Sequence, residues 1–255
     1  MNFVISLATA KERRLHIINE FEAQNIEFYF FDAIQPNQIP SMEEKYEVSL
    51  INSGLTAGEK ACFFSHVEIW NMVASKGMKH VAIFEDDVFL GNNANSFLKS
   101  LDWIPQKINI IKLEMFEEYV LMSLNKIQLE NNRLLRELKE KHLGTAGYIL
   151  SLEGARNYLK YIKDKNIEVP LDRLMFENYL NDGDELVYQM VPGLSAQADR
   201  IGKSELESQL EIDRKENQLG KEKRKQKLAF MQKLKREILR FLYQVRIKFC
   251  KIGFY

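Results

Sequence analysis

The opening stretch FVISLATAKERRLHIINEFEAQNIEFYFFD, residues 3–32, decides the fold class. Phe3 to Leu7 is a short apolar run with β-branched members, the pattern of a buried strand. Thr9-Ala-Lys-Glu12 is a capping-box sequence and predicts a helix running to about Ala23. Ile26 to Phe31 reads as a second strand, closed by Asp32. Strand, helix and strand in that order specify a parallel βαβ unit.

The same alternation continues. Thr56-Ala-Gly-Glu59 is a second capping box, and KACFFSHVEIWNMVAS extends it as a largely buried helix. Val81–Phe84, Ile108–Leu113 and Thr145–Leu150 read as strands. Ser151 opens a helix to Tyr161, Pro170 opens another from its favoured first-turn position, and Leu186–Val191 is a late strand ended by Pro192. The predicted fold is α/β, a mainly parallel sheet flanked by helices with one or two antiparallel additions. Beyond it, Ser204-Glu-Leu-Glu207 begins a charged helix. Leu234, Ile238, Phe241, Leu242, Val245, Phe249 and Ile252 then recur at three- and four-residue steps, an apolar stripe on a basic helix. This divides the chain into a catalytic domain, 1–203, and a helical, basic amphipathic C-terminal tail, 204–255.

The 255 residues carry 45% hydrophobic side chains and a formal net charge of zero, which fits a folded protein and says nothing about partners. The distribution says more. Residues 221–251 hold twelve Lys/Arg against two Glu, so the remainder is net acidic. Aromatic residues on an apolar stripe favour an anionic membrane surface for 221–255 over nucleic acid; packing on the domain, or pairing with a second copy as an oligomer, are the competing readings. Two cysteines in unlike contexts form neither a disulfide framework nor a zinc spacing and suit a reducing compartment. Cys62 reads as a small core residue. The first apolar run is too short for a signal peptide, and no run approaches the ~18–20 apolar residues of a membrane span. The expected location is cytoplasmic.

The chemistry is concentrated in VAIFEDDVFL, residues 81–90, where Glu85, Asp86 and Asp87 interrupt an apolar run. A carboxylate entering a low-dielectric site loses several kcal/mol of hydration, and adjacent ones repel. A hard divalent cation removes both penalties. In extended backbone Glu85 and Asp87 share a face, so the pair can share a metal, while Asp86 points away. In open α/β sheets ligands bind beyond the carboxyl ends of parallel strands, where this triplet should lie. The competing reading is a solvated acidic turn.

At these residues the chain resembles the family 25 glycosyltransferases of lipooligosaccharide biosynthesis. The matching segments run in order: VISLATAKERR at 4–14, FYFFDAI at 28–34, LTAGEKACFFSHVEIW at 55–70, AIFEDDVFL at 82–90, INIIKLE at 108–114, HLGTAGYILSLEGA at 142–155 and VPLDRLMF at 169–176. The resemblance spans about residues 1–200. It implies a GT-A-like fold, an Asp-x-Asp-type motif holding a divalent metal (Mn2+, or Mg2+) on the donor diphosphate, and inversion at the sugar. It implies a UDP-sugar donor, UDP-galactose first, and a lipid-linked oligosaccharide acceptor, with the enzyme peripheral on the inner face of the cytoplasmic membrane. This sequence has Glu85 where a strict Asp-x-Asp motif has Asp; Asp87, then Glu85, are the expected metal ligands, and Asp86 is assigned to the donor.

Further assignments follow. Asp172 in VPLDRLM is the expected general base or acceptor carboxylate, although an acid in a first helical turn also serves the dipole; Glu177 is its rival. Ser65 and His66, by the match at FFSH, face the donor, against the plainer reading of a core histidine. Gly58 permits close backbone approach. Ser6, Leu7 and Arg13 follow the first strand, where nucleotide and phosphate are met in such folds. Asp32 can hold base or ribose. Lys112 can face a phosphate, Gly144 and Thr145 leave room for a sugar, and Gln197 completes the metal or diphosphate shell. Within the class, UDP-glucose or UDP-N-acetylhexosamine is the alternative donor. Outside it, an acidic strand end also serves a metal-dependent nucleotide-diphosphate phosphohydrolase or a non-catalytic sugar-nucleotide binder.

Overall fold

The computed structural model of the chain describes residues 1–50, 53–202 and 243–255. β1 (Asn2–Ser6), α1 (Lys11–Glu22) and β2 (Tyr29–Asp32) form the expected unit, with β1 parallel to β2 and Phe3 opposite Tyr29. The capping box expected at Thr9 is not formed. Thr9 lies in a turn closed by the Ala10 N–H donating to Leu7 O at 3.0 Å, and Ala10 starts α1 without a side-chain cap. Arg14 reaches back instead and donates to the carbonyls of Leu7 and Ser6, each at 3.1 Å. β2 starts at Tyr29 and not at Ile26, because the Ile26 N–H is spent closing the end of α1 on Phe21 O at 3.0 Å.

After α2 (Ile39–Tyr46), the second capping box does form. Thr56 Oγ1 accepts from the Glu59 N–H at 3.1 Å, and the Glu59 carboxylate accepts from the Thr56 N–H at 2.9 Å. It opens α3 (Ala57–Lys76), which Gly77 ends in the left-handed conformation at φ 64°. The chain continues through β3 (His80–Glu85), β4 (Val88–Leu90), α4 (Asn95–Leu98), β5 (Ile110–Lys112), β6 (Ile127–Gln128), β7 (Leu134–Glu137), β8 (Gly147–Ser151) and α5 (Leu152–Ile162). It ends the described body with α6 (Leu171–Arg173), α7 (Tyr179–Asp182), β9 (Val187–Val191) and β10 (Ser195–Gln197). The helix expected from Pro170 is there, but Pro170 is its N-cap, and a π-helical stretch at Leu174–Asn178 separates α6 from α7.

Eight strands form one sheet in the order β2-β1-β3-β8-β5-β9-β7-β6, and β4 pairs with β10 in a second. β1, β2 and β3 are mutually parallel, as are β5 and β9. β8 runs antiparallel between β3 and β5, inside the sheet and not at its edge. The β6–β7 hairpin was not expected. Its strands are short, and Asn131 and Asn132, at φ 52° and 58°, turn the chain between them.

Alternate strand residues feed two cores. Phe3, Ile5, Val81, Ile83, Tyr148 and Leu150 face Phe63, Trp70 and Tyr158 on one side. Val4, Ala82, Phe84, Ile111 and Ile149 join Ile17 and Phe21 on the other. Both faces are covered, which is why these strands read as unbroken apolar runs.

The boundary expected at 203/204, the charged helix from Ser204, and Leu234, Ile238, Phe241 and Leu242 lie outside the described residues. At the end of the chain the expected helix does not persist. Residues 243–247 are helical, and then the backbone extends and joins the body. Ile252 N–H donates to Glu118 O at 2.8 Å, and Cys250 and Ile252 are buried in the core. Val245 and Phe249 stay exposed, so Ile252 does not share one stripe with them.

Candidate active site

Glu85 is the last residue of β3, and Asp86 and Asp87 form the turn into β4. The alternation expected of extended backbone therefore stops at Glu85. The three carboxylates diverge to three partners. Glu85 Oε1 accepts from Thr145 Oγ1 at 2.6 Å and lies 3.6 Å from His66 Nε2. Asp86 Oδ1 accepts from Arg13 Nη1 at 3.0 Å. Both oxygens of Asp87 accept from Gln197 Nε2, at 3.4 and 3.2 Å. Gln197 reaches Asp87 because β10 pairs with β4 and sets Gln197 opposite Val88.

The charges in this cluster are unequal. Burial pushes the Asp87 carboxyl up, to about 8; Glu85, Asp86 and Glu114 add repulsion, and Arg13 opposes them. Burial pushes Glu85 up as well, but His66, the Thr145 hydroxyl and Lys112 outweigh it and hold Glu85 below the ordinary carboxylate range. At 3.6 Å the His66 contact is too long for a hydrogen bond. The result is one ionised carboxylate beside one that binds a proton near neutral pH. Both are oxygen donors of the kind a hard divalent cation takes.

Beneath the cluster lies a buried ion pair that sequence reading missed. Lys112 Nζ donates to Glu114 Oε2 at 3.0 Å and to the Gly144 carbonyl, and it stands 4.5 Å from the Phe176 ring centroid. Lys112 is fully buried on an interior strand, so it supports the site and meets no phosphate directly. Burial lowers its proton affinity and raises that of Glu114, each opposed by the other's charge. Two positions apart at a strand end, Lys112 and Glu114 share a face, and that spacing was the available signal. Gly144 is required by this pair. Its φ is +85°, and a Cβ would stand 2.5 Å from Glu114 Oε2. The Gly144 N–H points to Asp172 Oδ2 at 3.4 Å, and Asp172 Oδ1 accepts from Arg173 N–H at 2.8 Å. Glu177 is engaged by Arg173 at 3.1 Å and Lys141 at 3.8 Å. Asp172 thus borders the Gly144–Thr145 turn, and Glu177 faces other partners.

His142 closes the far side. Its Nε2 accepts from the Phe116 and Glu117 N–H groups at 3.2 and 3.0 Å, so Nδ1 carries the proton and donates to Gln189 Oε1 at 2.8 Å. Burial drives its proton affinity well down, so His142 positions a loop and carries no charge.

The other expected donor residues separate. Ser6 is buried at the end of β1, Leu7 is exposed beside it, and Gly58 lies in the first turn of α3. Asp32 pairs with Arg14 and is largely exposed. Ser65 does not turn its hydroxyl to the donor side: Oγ accepts from Ile34 N–H at 2.9 Å and donates to Ala61 O at 2.8 Å, pinning the loop after β2 to α3. His66 is buried, with Nδ1 2.9 Å from the Tyr148 hydroxyl, which accepts from Trp70 Nε1–H at 2.8 Å. Cys62 is only partly buried and is not the core residue expected.

The acidic cluster follows the carboxyl end of parallel strand β3, where open α/β sheets bind their ligands, and comparison with known proteins gives the class. The profile described as glycosyltransferase family 25 (LPS biosynthesis protein) matches residues 1–175. The lipooligosaccharide biosynthesis protein lic2B of Haemophilus influenzae is 35% identical over 96% of this chain and 95% of its own. The lacto-N-neotetraose biosynthesis glycosyltransferase LgtE of Neisseria gonorrhoeae is 34% identical over 94% and 89%, and LgtB of the same organism 35% over 85% and 82%. The chain belongs to glycosyltransferase family 25, and it is a glycosyltransferase of the lipooligosaccharide-biosynthesis type. Membership implies a nucleotide-sugar donor and an oligosaccharide acceptor. Among the described residues no helix is long and apolar enough to cross a membrane.

Proposed function

We propose that the protein is an inverting, divalent-metal-dependent transferase that moves galactose from UDP-galactose to a lipid-linked oligosaccharide. The observation carrying this reading is Asp87, buried among Glu85, Asp86 and Glu114 and pushed up to about 8. Asp87 and Glu85 are the ligands for Mn2+ or Mg2+. What such an ion supplies, when bound, is compensation for the charge building on the departing diphosphate. Arg13 holds Asp86 in place and adds positive charge at the phosphate side. Gln197 orients Asp87, and Thr145 orients Glu85. The buried Lys112–Glu114 pair holds the Gly144–Thr145 turn against Asp172. Asp172 takes the proton of the acceptor hydroxyl, as a single displacement requires.

Calorimetry with UDP-galactose, UDP-glucose and UDP-N-acetylglucosamine, with and without Mn2+, tests it. Metal-dependent binding of UDP-galactose, lost in Asp87→Asn, is expected. Asp172→Asn should keep donor binding and lose about 10²–10⁴-fold in kcat. Binding indifferent to metal and to Asp87 sinks the reading. Phosphate release at full rate without acceptor turns it to a phosphohydrolase.

We assign the basic run at 221–251 to an anionic membrane surface, each Lys/Arg contributing about 1 kcal/mol there. Removing the whole tail would strip Cys250 and Ile252 from the core. The sound comparison is therefore Lys/Arg→Gln across 221–240 in a liposome flotation assay. Unchanged flotation counts against membrane attachment.

A further inference from the structure

Beside the donor-side carboxylates stands a group of different chemistry. Cys62 and His66 lie four residues apart on α3, which puts both side chains on one helix face. Glu85 meets them from the end of β3. Ligand atoms of Cys62, His66 and Glu85 all lie within 4.8 Å of one another. A second observation marks the same point. His66 is fully buried, and its Nε2 has no hydrogen-bond partner although it is aimed at Glu85 from 3.6 Å. A buried ring nitrogen left so is costly unless a ligand uses it.

The other ring nitrogen is supported as a metal-bound imidazole requires. The Tyr148 oxygen accepts from Trp70 Nε1–H and lies 2.9 Å from His66 Nδ1, so it has a lone pair to accept Nδ1–H in the tautomer that frees Nε2 for a metal. Tetrahedral zinc, with Zn–S of about 2.3 Å and Zn–N of about 2.0–2.1 Å, holds such atoms about 3.5 Å apart. His66 and Glu85 are already at that spacing. Cys62, only partly buried, closes the rest by rotating its side chain, and its exposure supplies an entry path.

We propose that Cys62, His66 and Glu85 form a second metal site, selective for a thiophilic divalent cation such as Zn2+, and that filling it withdraws Glu85 from the hard cation at Asp87. Thiolate and imidazole ligands prefer zinc and cobalt to magnesium and manganese. The site is therefore distinguished by metal class from the oxygen ligands a few ångströms away. The competition rests on the donor-site reading; the site itself does not.

The experiment needs neither donor nor acceptor. The full chain, kept reduced with a phosphine, is titrated with Co2+ while near-ultraviolet absorption is followed. A sulfur-to-cobalt charge-transfer band saturating at one ion per chain, and bleached by Zn2+, is expected. It should persist in Cys250→Ser and vanish in Cys62→Ser, with Cys62→Ala as the second variant if Ser impairs folding. No band in the wild type, or a band surviving loss of the Cys62 thiol, overturns the site. Competition is read separately from the electron-resonance signal of free Mn2+. Zinc should release Mn2+ from the wild type and not from Cys62→Ser. Release from both, with the cobalt band intact, leaves the site standing and removes the link through Glu85.

Discussion

Asp87 carries the largest consequence at the scale of one residue. Its ordinary value is 3.8, and the fold pushes it up to about 8, first by burial and then by Glu85. The folded chain therefore binds a proton there that the unfolded chain has released. Stability from this group is greatest below about pH 4 and falls as pH rises toward 8. Asp87→Asn removes that loss. Without metal, its Tm should exceed that of the wild type at pH 8 and converge on it toward pH 4, by about 2–4 °C for each kcal/mol of repulsion relieved. A variant no more stable than the wild type at pH 8 would show that the carboxylates do not strain the empty fold. On the proposed metal-binding role of Asp87, a divalent ion should reverse the order, with release of close to one proton per ion near neutral pH.

At the scale of elements, α3 couples folding to the site. Its first turn is fixed by the reciprocal Thr56–Glu59 bonds, and about two turns on it delivers His66. Thr56→Ala should cost about 0.5–2 kcal/mol, read as a lowered melting temperature; an unchanged one denies the box any part in stability. This element was legible because cap, apolar run and closing Gly77 all agree. The run at 81–85 was legible for the same reason, apolar residues filling both cores up to the first carboxylate. The thwarted box at Thr9 had the same letters, but Arg14 and the Leu7 carbonyl offered the backbone a better arrangement. The β6–β7 hairpin escaped notice because its strands are only two and four residues long, too short for a clear period, although Leu135 is buried and Ile127 packs on the same core; Asn131-Asn132 marked the turn. The carboxylates were legible as a group, but their partners were not. Arg13, Thr145 and Gln197 arrive from α1, the turn before β8, and β10, and only the sheet order brings those together.

Across the whole molecule, the end of the described chain is part of the body. The backbone pairs Lys251 with Tyr119 and Phe254 with Gly193, and Ile252 is buried. Ile252→Ala should therefore lower stability by about 2–5 kcal/mol, measured as a shifted urea midpoint at constant slope, with donor binding kept once folded. A cost below 1 kcal/mol would mean that this return is loosely held. The two tryptophans of the chain differ in the same global sense. Trp103 donates to Phe97 O at 2.9 Å on the far core, while Trp70 is joined through the Tyr148 hydroxyl to His66. With Trp103→Phe, the indole of Trp70 becomes a single fluorophore hydrogen-bonded into the catalytic end of the sheet. An ion taken up at His66 then alters the light emitted from inside α3, and occupancy can be followed in real time without a label.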